Sequence, residues 1–381
     1  MPSNLYNLKQ ASASSLKHPT SNQVMPDKKN IIHVIQSLGR GGAESMLVAV
    51  LKELHEFNNI VVILDAENHF GEELVCDKLI CLNAPSLKHL AKAIIRLKKI
   101  IKAYQPVLVH SHLPKPNFLV RLAVPRSIPL VSTIHTSIAS AADYKHWHMR
   151  FLDKFTYRYR KSTIVAVSNV ALQDYFSVLG LKQQNAHVLY TFVDDRKFKP
   201  SSDPKLSGEG MRLVTVGSYK TGKNIPYLVE VFKLLKDELV SLDVYGRGHG
   251  ELESLIRDAG VSIFLKGQHK EMQEVLPQYD GFIMPSQFEG FSLSVLEAMA
   301  VKLPLLLSDI PSFKEQAGEH ALYFDLNDVN DGYHAIVRFL HHRHEANLRR
   351  DMAYRLMQEN YTLAHHIEGL QRIYRAAIAA G

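Results

Sequence analysis

Short runs of aliphatic and β-branched residues alternate with amphipathic stretches along most of the chain. A parallel sheet covered by helices on its faces reads this way, so the predicted class is α/β. In the first half the apolar runs predict strands at 31–38 (IIHVIQSL), 59–65 (NIVVILD), 107–112 (VLVHSH), 130–135 (LVSTIH) and 163–168 (TIVAVS), each followed by a crossover helix. A second series runs through 212–218 (RLVTVGS), 241–246 (SLDVYG), 262–267 (SIFLKG), 281–286 (GFIMPS), 303–309 (LPLLLSD) and 321–325 (ALYFD). Two Rossmann-like domains laid end to end are expected. Between them KFKPSSDPKLSGEGM (197–211) carries Pro, Ser and Gly without an apolar period, and reads as the linker. From about residue 333 the pattern is helical, with Ile367, Leu370, Ile373 and Tyr374 spaced as one apolar face.

A length of 381 residues suits two such domains better than a single core. The composition, 46% hydrophobic and 22% charged, is that of a globular chain. It contains no 18-residue apolar run of the kind that spans a bilayer. Residues 1–30 are polar and lack the apolar centre of a secretory signal, so a disordered tail is expected there. Cys76 and Cys81 match no zinc spacing and no disulfide framework; they read as buried apolar fillers in a reducing cytoplasm.

Charge changes the picture. The net charge is +7, but residues 1–200 hold 26 Lys and Arg against 14 Asp and Glu, while 201–381 hold 19 against 24. The basic half calls for an acidic partner or is a solvated face. Within it, 86–104 places Leu90, Ile94, Leu97 and Ile101 on one helical face and Lys88, Lys92, Lys98, Lys99 and Lys102 on others. The stretch YKHWHMRFLDKFTYRYRK (144–161) is basic and aromatic. Docking on an anionic membrane surface is one reading of the pair, and ordinary packing of the first helix on its sheet is the other.

Ligands of open α/β sheets bind beyond the carboxyl ends of the strands, which directs attention to the loops there. SLGRGGAES (37–45) places Gly41 and Gly42 where a helix starts near Ala43, so backbone can approach a ligand and free amides face it. GSYKTGKN (217–224) offers Lys223, and YGRGHGE (245–251) offers Arg247, as cations for phosphate. Neither has the dinucleotide spacing, which argues against an NAD enzyme. PSQFEGFSLSVLEAMA (285–300) turns into a helix with Glu289 in the loop and Glu297 eight residues on. Two carboxylates at one strand end suit ligand hydroxyls; alternatively Glu289 merely starts the helix and Glu297 lies on its exposed face. His135 ends its strand and can donate a hydrogen bond or act as acid/base near neutral pH. No Asp-x-Asp pair exists to hold a metal-bound diphosphate, so charge neutralisation is expected from Lys, Arg and helix ends, with no metal and no cofactor.

Residues 31–376 resemble the family 4 retaining glycosyltransferases of the GT-B fold, many of which build capsular, O-antigen and other surface polysaccharides. The resemblance is carried by GGAE at 41–44, His135, the GS...KN loop at 217–224, and the Glu289 and Glu297 pair followed by AMA and LPLLLSDIPSFKE. It implies two Rossmann-like domains whose parallel sheets face a central cleft: an acceptor domain at 31–200, a donor domain at 201–364, and a C-terminal helix at 365–381 packing back on the first. It further implies that Glu289 and the backbone of Gly290, Phe291, Ser292 and Leu293 hold the donor sugar, with His135 contacting it from the first domain. Glu297 would hold the ribose hydroxyls, Lys223 the diphosphate, and Gly41 and Gly42 the closing loop. Many relatives carry an arginine where this chain has Ser218, leaving Lys220 or Arg247 as replacements, and YTFVD (190–194) stands where many read YNGVD.

The activity so implied is transfer of a hexose or N-acetylhexosamine, from a UDP-sugar first and GDP-mannose second, to a glycan or lipid-linked glycan acceptor at the cytoplasmic face. An epimerase of the same fold is the enzyme alternative. A basic nucleic-acid-binding protein is the other, disfavoured by the acidic second half and the lack of a recognition helix or stacking motif.

Overall fold

A computed structural model of the chain describes residues 28–139, 141–200, 210–236 and 238–380. Most of the expected tail and the centre of the expected linker lie outside them. The first half folds as β1 (Lys29–Ile35), α1 (Gly42–Leu51), β2 (Phe57–Ile63), β3 (Lys78–Cys81), α2 (Leu90–Tyr104), β4 (Leu108–His112), α3 (Pro114–Ala123), β5 (Leu130–Ile134), α4 (Trp147–Tyr159), β6 (Thr163–Ala166), α5 (Asn169–Leu179) and β7 (Ala186–Val188). The second continues with β8 (Met211–Val216), α6 (Ile225–Leu234), β9 (Val240–Tyr245), α7 (Glu253–Ala259), β10 (Ile263–Gly267), α8 (Met272–Val275), β11 (Gly281–Met284), α9 (Leu293–Ala300), β12 (Leu305–Ser308), α10 (Pro311–Ala317), β13 (Leu322–Phe324), α11 (Val329–His341), α12 (Arg343–Asn360) and α13 (Leu363–Ala380).

The strands form two parallel sheets, ordered β3-β2-β1-β4-β5-β6-β7 and β10-β9-β8-β11-β12-β13. The strand order reverses between β1 and β4 and between β8 and β11, the places where open sheets leave a crevice for ligands. Two strands were not legible in the sequence. β3 and β7 are short edge strands, part-exposed along their length, so neither shows a continuous apolar run. β3 also corrects the reading of the cysteines: Cys76 and Cys81 are free and only half-buried.

The apolar face of α2 does pack on the sheet. Ala93, Leu97 and Ile101 are buried against Ile32, Val34, Ile60 and Val62, with the lysines left in solvent. α3, α4 and α5 are tied by a buried polar network. Arg121 Nη1 donates to Asp153 Oδ1 at 2.5 Å, Tyr175 OH donates to the same oxygen at 2.9 Å, and Tyr144 OH donates to Oδ2. Both ions are fully buried. α13 begins at Leu363 and crosses back to the first sheet, where Leu370, Ile373 and Tyr374 pack against Ile31, Leu108 and Val131.

Candidate active site

The second domain supplies most of the candidate site from the carboxyl ends of β8 and β11. The loop after β8 places Lys223 beneath Gly217, where a Cβ would stand 3.1 Å from the lysine Cε. Lys223 Nζ then reaches Glu289 Oε1 at 2.7 Å, and Ser286 Oγ donates to the same oxygen at 2.8 Å. Both partners are largely shielded from solvent. The two loops lock together through the Gln287 amide, which donates to Gly222 O at 2.8 Å, and a Cβ on Gly222 would collide with the Phe288 ring. The expected phosphate cation and the expected sugar carboxylate thus form one preassembled pair.

After Glu289 the chain passes Gly290 and Phe291 and enters α9 at Leu293. Ser292 occupies the N-cap without a side-chain cap, so the helix start keeps unpaired amides and their partial positive charge. The amides of Gly290 and Phe291 have no partner among the described residues, whereas that of Ser292 is taken by Gln316 Oε1 at 3.0 Å. The Ser292 amide is thus engaged in the ligand-free structure. The Phe291 ring is buried between Tyr190 and Tyr361, centroids 5.0 and 5.1 Å away, and anchors the loop. This gives the YTFVD segment a packing role.

Glu297 lies one turn inside α9 and is half-buried, so it is not on an exposed face. Burial pushes its carboxyl up to about 7, with Lys197 opposing the shift. No hydrogen bond from the protein satisfies it among the described residues, and it is free to accept from ligand hydroxyls. Ser218 is half-buried, and Arg247 is exposed with no ion-pair partner among the described residues. Lys220 is a better placed second cation. Burial raises the carboxyl of Glu44 and the charge of Lys220 opposes that rise; Glu44 lies in the first turn of α1, beside Gly41 and Gly42.

The first domain closes the cleft. A Cβ on Gly290 would overlap the carbonyl oxygen of His135, so the donor-side loop lies directly on the end of β5. A Cβ on Gly42 would stand 3.4 Å from Leu293 Cδ1, so the start of α1 approaches the start of α9. His135 is half-buried, and burial together with nearby His366 holds its imidazole down at about 3. Without ligand it is the neutral imidazole, able to donate a hydrogen bond from one ring nitrogen and accept at the other. A second clamp was missed in the sequence. Glu315 on α10 caps the start of α5, accepting from the Asn169 amide at 2.6 Å and the Val170 amide at 2.9 Å. Its only sequence signal was its place in PSFKE, which said nothing of a partner in the other domain.

The comparisons with known proteins divide as the sheets do. The family described as "Glycosyltransferase Family 4" matches residues 40–197, and the one described as "Glycosyl transferases group 1" matches 210–342. The Escherichia coli UDP-Gal:alpha-D-GlcNAc-diphosphoundecaprenol alpha-1,3-galactosyltransferase is 26% identical over 286 residues, covering 68% of this chain and 72% of its own length. The O-antigen biosynthesis glycosyltransferase WclY of Escherichia coli is 22% identical over 324 residues, 78% of this chain and 85% of its own. A crystal structure of HepE from Anabaena in complex with UDP and glucose superposes with a TM-score of 0.79 at 14% identity, over 90% of this chain and 98% of that one.

Proposed function

Because the chain belongs to the family 4, group 1 glycosyltransferases and has the GT-B fold, we propose that it transfers a hexose or N-acetylhexosamine from a nucleotide-diphosphate sugar to a hydroxyl of a glycan or lipid-linked glycan. UDP-sugars are the first choice of donor and GDP-mannose the second. The reaction retains the anomeric configuration and uses no metal. The observation that carries this reading is the Lys223–Glu289 pair beside the open end of α9, with His135 laid against it from the other domain.

Departure of the diphosphate leaves an oxocarbenium-like centre, and the main task is to hold the negative charge that develops on phosphate. Lys223, Lys220 and the first amides of α9 are arranged for it, each well-placed donor contributing on the order of a few kcal/mol. Glu297 accepts from the ribose hydroxyls, Glu289 from the sugar, and His135 donates to a sugar hydroxyl. No carboxylate stands as a nucleophile; the acceptor attacks on the face the diphosphate leaves, and the departing phosphate oxygen takes its proton. In this reading the second domain binds the donor and the first the acceptor. A purified enzyme given UDP-hexoses and a lipid-linked glycan in excess EDTA should yield a glycosylated acceptor whose new linkage keeps the donor's anomeric form by NMR. Isomerised donor without transfer would favour the epimerase, and activity lost to EDTA but restored by Mn²⁺ would overturn metal independence.

The first domain rests on an anionic membrane at the cytoplasmic face, where a lipid-linked acceptor is presented. No helix among the described residues is long and apolar enough to cross a membrane. Support comes from α4, where Trp147, Phe151, Phe155 and Tyr159 recur every fourth residue and are 76%, 57%, 52% and 54% exposed. Exposed Lys145, Arg150 and Arg158 flank that stripe. Aromatic rings suit the lipid interface, and each nearby basic residue adds roughly 1 kcal/mol on an anionic leaflet. Co-sedimentation with phosphatidylserine vesicles should occur at low salt, fade at high salt and weaken in Trp147→Ala/Phe151→Ala. Equal binding to neutral vesicles, or none, would make the stripe a protein contact instead.

A further inference from the structure

The first sheet carries a histidine cluster to which the proposed transfer gives no direct contact with substrate. His33 on β1 and His110 on β4 are direct register partners, and His112 lies two residues further along β4. Each offers a ring nitrogen, and these all lie within 4.8 Å of one another. The protonation of His33 follows from its neighbours. Asn59 Nδ2 donates to Leu54 O at 2.9 Å, which leaves Asn59 Oδ1, 3.2 Å from His33 Nε2, able only to accept. Nε2 therefore carries the hydrogen and Nδ1 the lone pair.

That Nδ1 is buried without a partner, and so is His112 Nε2. Buried polar atoms are nearly always hydrogen-bonded, and leaving one unpaired costs about 1–3 kcal/mol. Two such nitrogens in one cluster call for an occupant. His33, His110 and His112 line an enclosed cavity of about 20 Å³ together with His135 and His366. It has room for a single water or ion.

We propose that His33, His110 and His112 bind one divalent transition-metal ion of the zinc class, with water in the fourth position. The donor set is imidazole only, which suits zinc, nickel, cobalt or copper and not magnesium or calcium. Asn59 acts on His33 as an outer-shell partner acts on a metal-bound histidine, fixing its tautomer and ring. His110 joins by releasing one of its two hydroxyl partners, Tyr374 OH at 2.6 Å or Thr133 Oγ1 at 2.7 Å. Coordination through His112 Nε2 places the remaining proton on Nδ1, which donates to His135 Nε2 at 3.2 Å. The ion thereby fixes the tautomer of His135 and clips β1 to β4 beneath the cleft. It strengthens the fold and is not the cation that neutralises a diphosphate.

The test is titration of Co²⁺ into EDTA-treated full-length protein, which needs no transfer activity. The expected result is the visible absorption of four-coordinate cobalt, saturating at about one ion per chain, displaced by Zn²⁺ and accompanied by a higher Tm. His33→Gln and His112→Gln should each weaken binding by more than about 100-fold, the upper range for losing an outer-shell partner. A variant at the exposed, stacked His146 and His148 pair should bind as wild type does. X-ray absorption of the zinc-loaded wild type keeps the proposal testable if a variant fails to fold; a shell with at least three imidazoles supports it. No cobalt band, binding that survives His33→Gln and His112→Gln, or a shell of carboxylate or sulfur overturns it.

Discussion

Replacing Glu289 by Ala should lower kcat for sugar transfer by about 100-fold or more, the scale set by removing one preorganised polar group from a transition-state site. Glu289 sits in the loop between β11 and α9 and makes no contribution to either apolar core. Its interactions are those of a ligand site: the 2.7 Å contact from Lys223 and the 2.8 Å bond from Ser286. Without a ligand the carboxylate pairs with the lysine; on the proposed reading it turns to the sugar, and the lysine to the phosphate, when a donor binds. Alanine removes the sugar contact and also frees the ammonium group from its preset position, so turnover suffers twice while Tm changes little. Steady-state kinetics beside a thermal melt distinguishes these effects. A variant retaining more than a tenth of wild-type turnover would remove Glu289 from the donor site.

The largest stability effect is expected at Asp153. Its carboxylate is fully buried and receives Arg121, Tyr144 and Tyr175 from three different elements. Asparagine keeps the volume but leaves the Arg121 guanidinium buried without a counter-charge. Breaking such a pair on one side costs about 3–5 kcal/mol, far more than an exposed ion pair. The expected outcome is a corresponding fall in the unfolding free energy of the first domain by urea titration. The α4 stripe hangs on the same network, so vesicle binding should weaken in parallel. A loss below about 1 kcal/mol would show that the network is not holding α3, α4 and α5 together.

Much of this was legible in the sequence because parallel strands buried on both faces announce themselves as unbroken apolar runs. All six strands of the second sheet and five of the seven in the first were visible, the edge strands β10 and β13 through the short apolar runs SIFL and ALYF. β3 and β7 were not, since neither short strand buries a residue fully and neither is apolar throughout. The loops at the strand ends were also legible, because glycine and charge at those positions have few other uses. Contacts between distant segments were not. Nothing in the chain announces that Lys223 meets Glu289, that Glu315 caps a helix of the other domain, or that Lys220 senses Glu44. The tuning of individual groups was equally hidden. Burial raises Glu297 to about 7, and burial together with nearby His366 lowers His135 to about 3. A histidine counted as one among 20 gives no hint of lining a cavity with four others.

The central claim is that the cleft binds a nucleotide-diphosphate sugar with Lys223 on the phosphates. Titration calorimetry of UDP and of uridine against wild type and Lys223→Ala tests it most directly. Hydrogen bonds to a charged group contribute about 1.5–3 kcal/mol, so Lys223→Ala should weaken UDP binding by roughly 10- to 100-fold and leave uridine within about twofold. Equal losses for UDP and uridine, or no loss for UDP, would contradict the account.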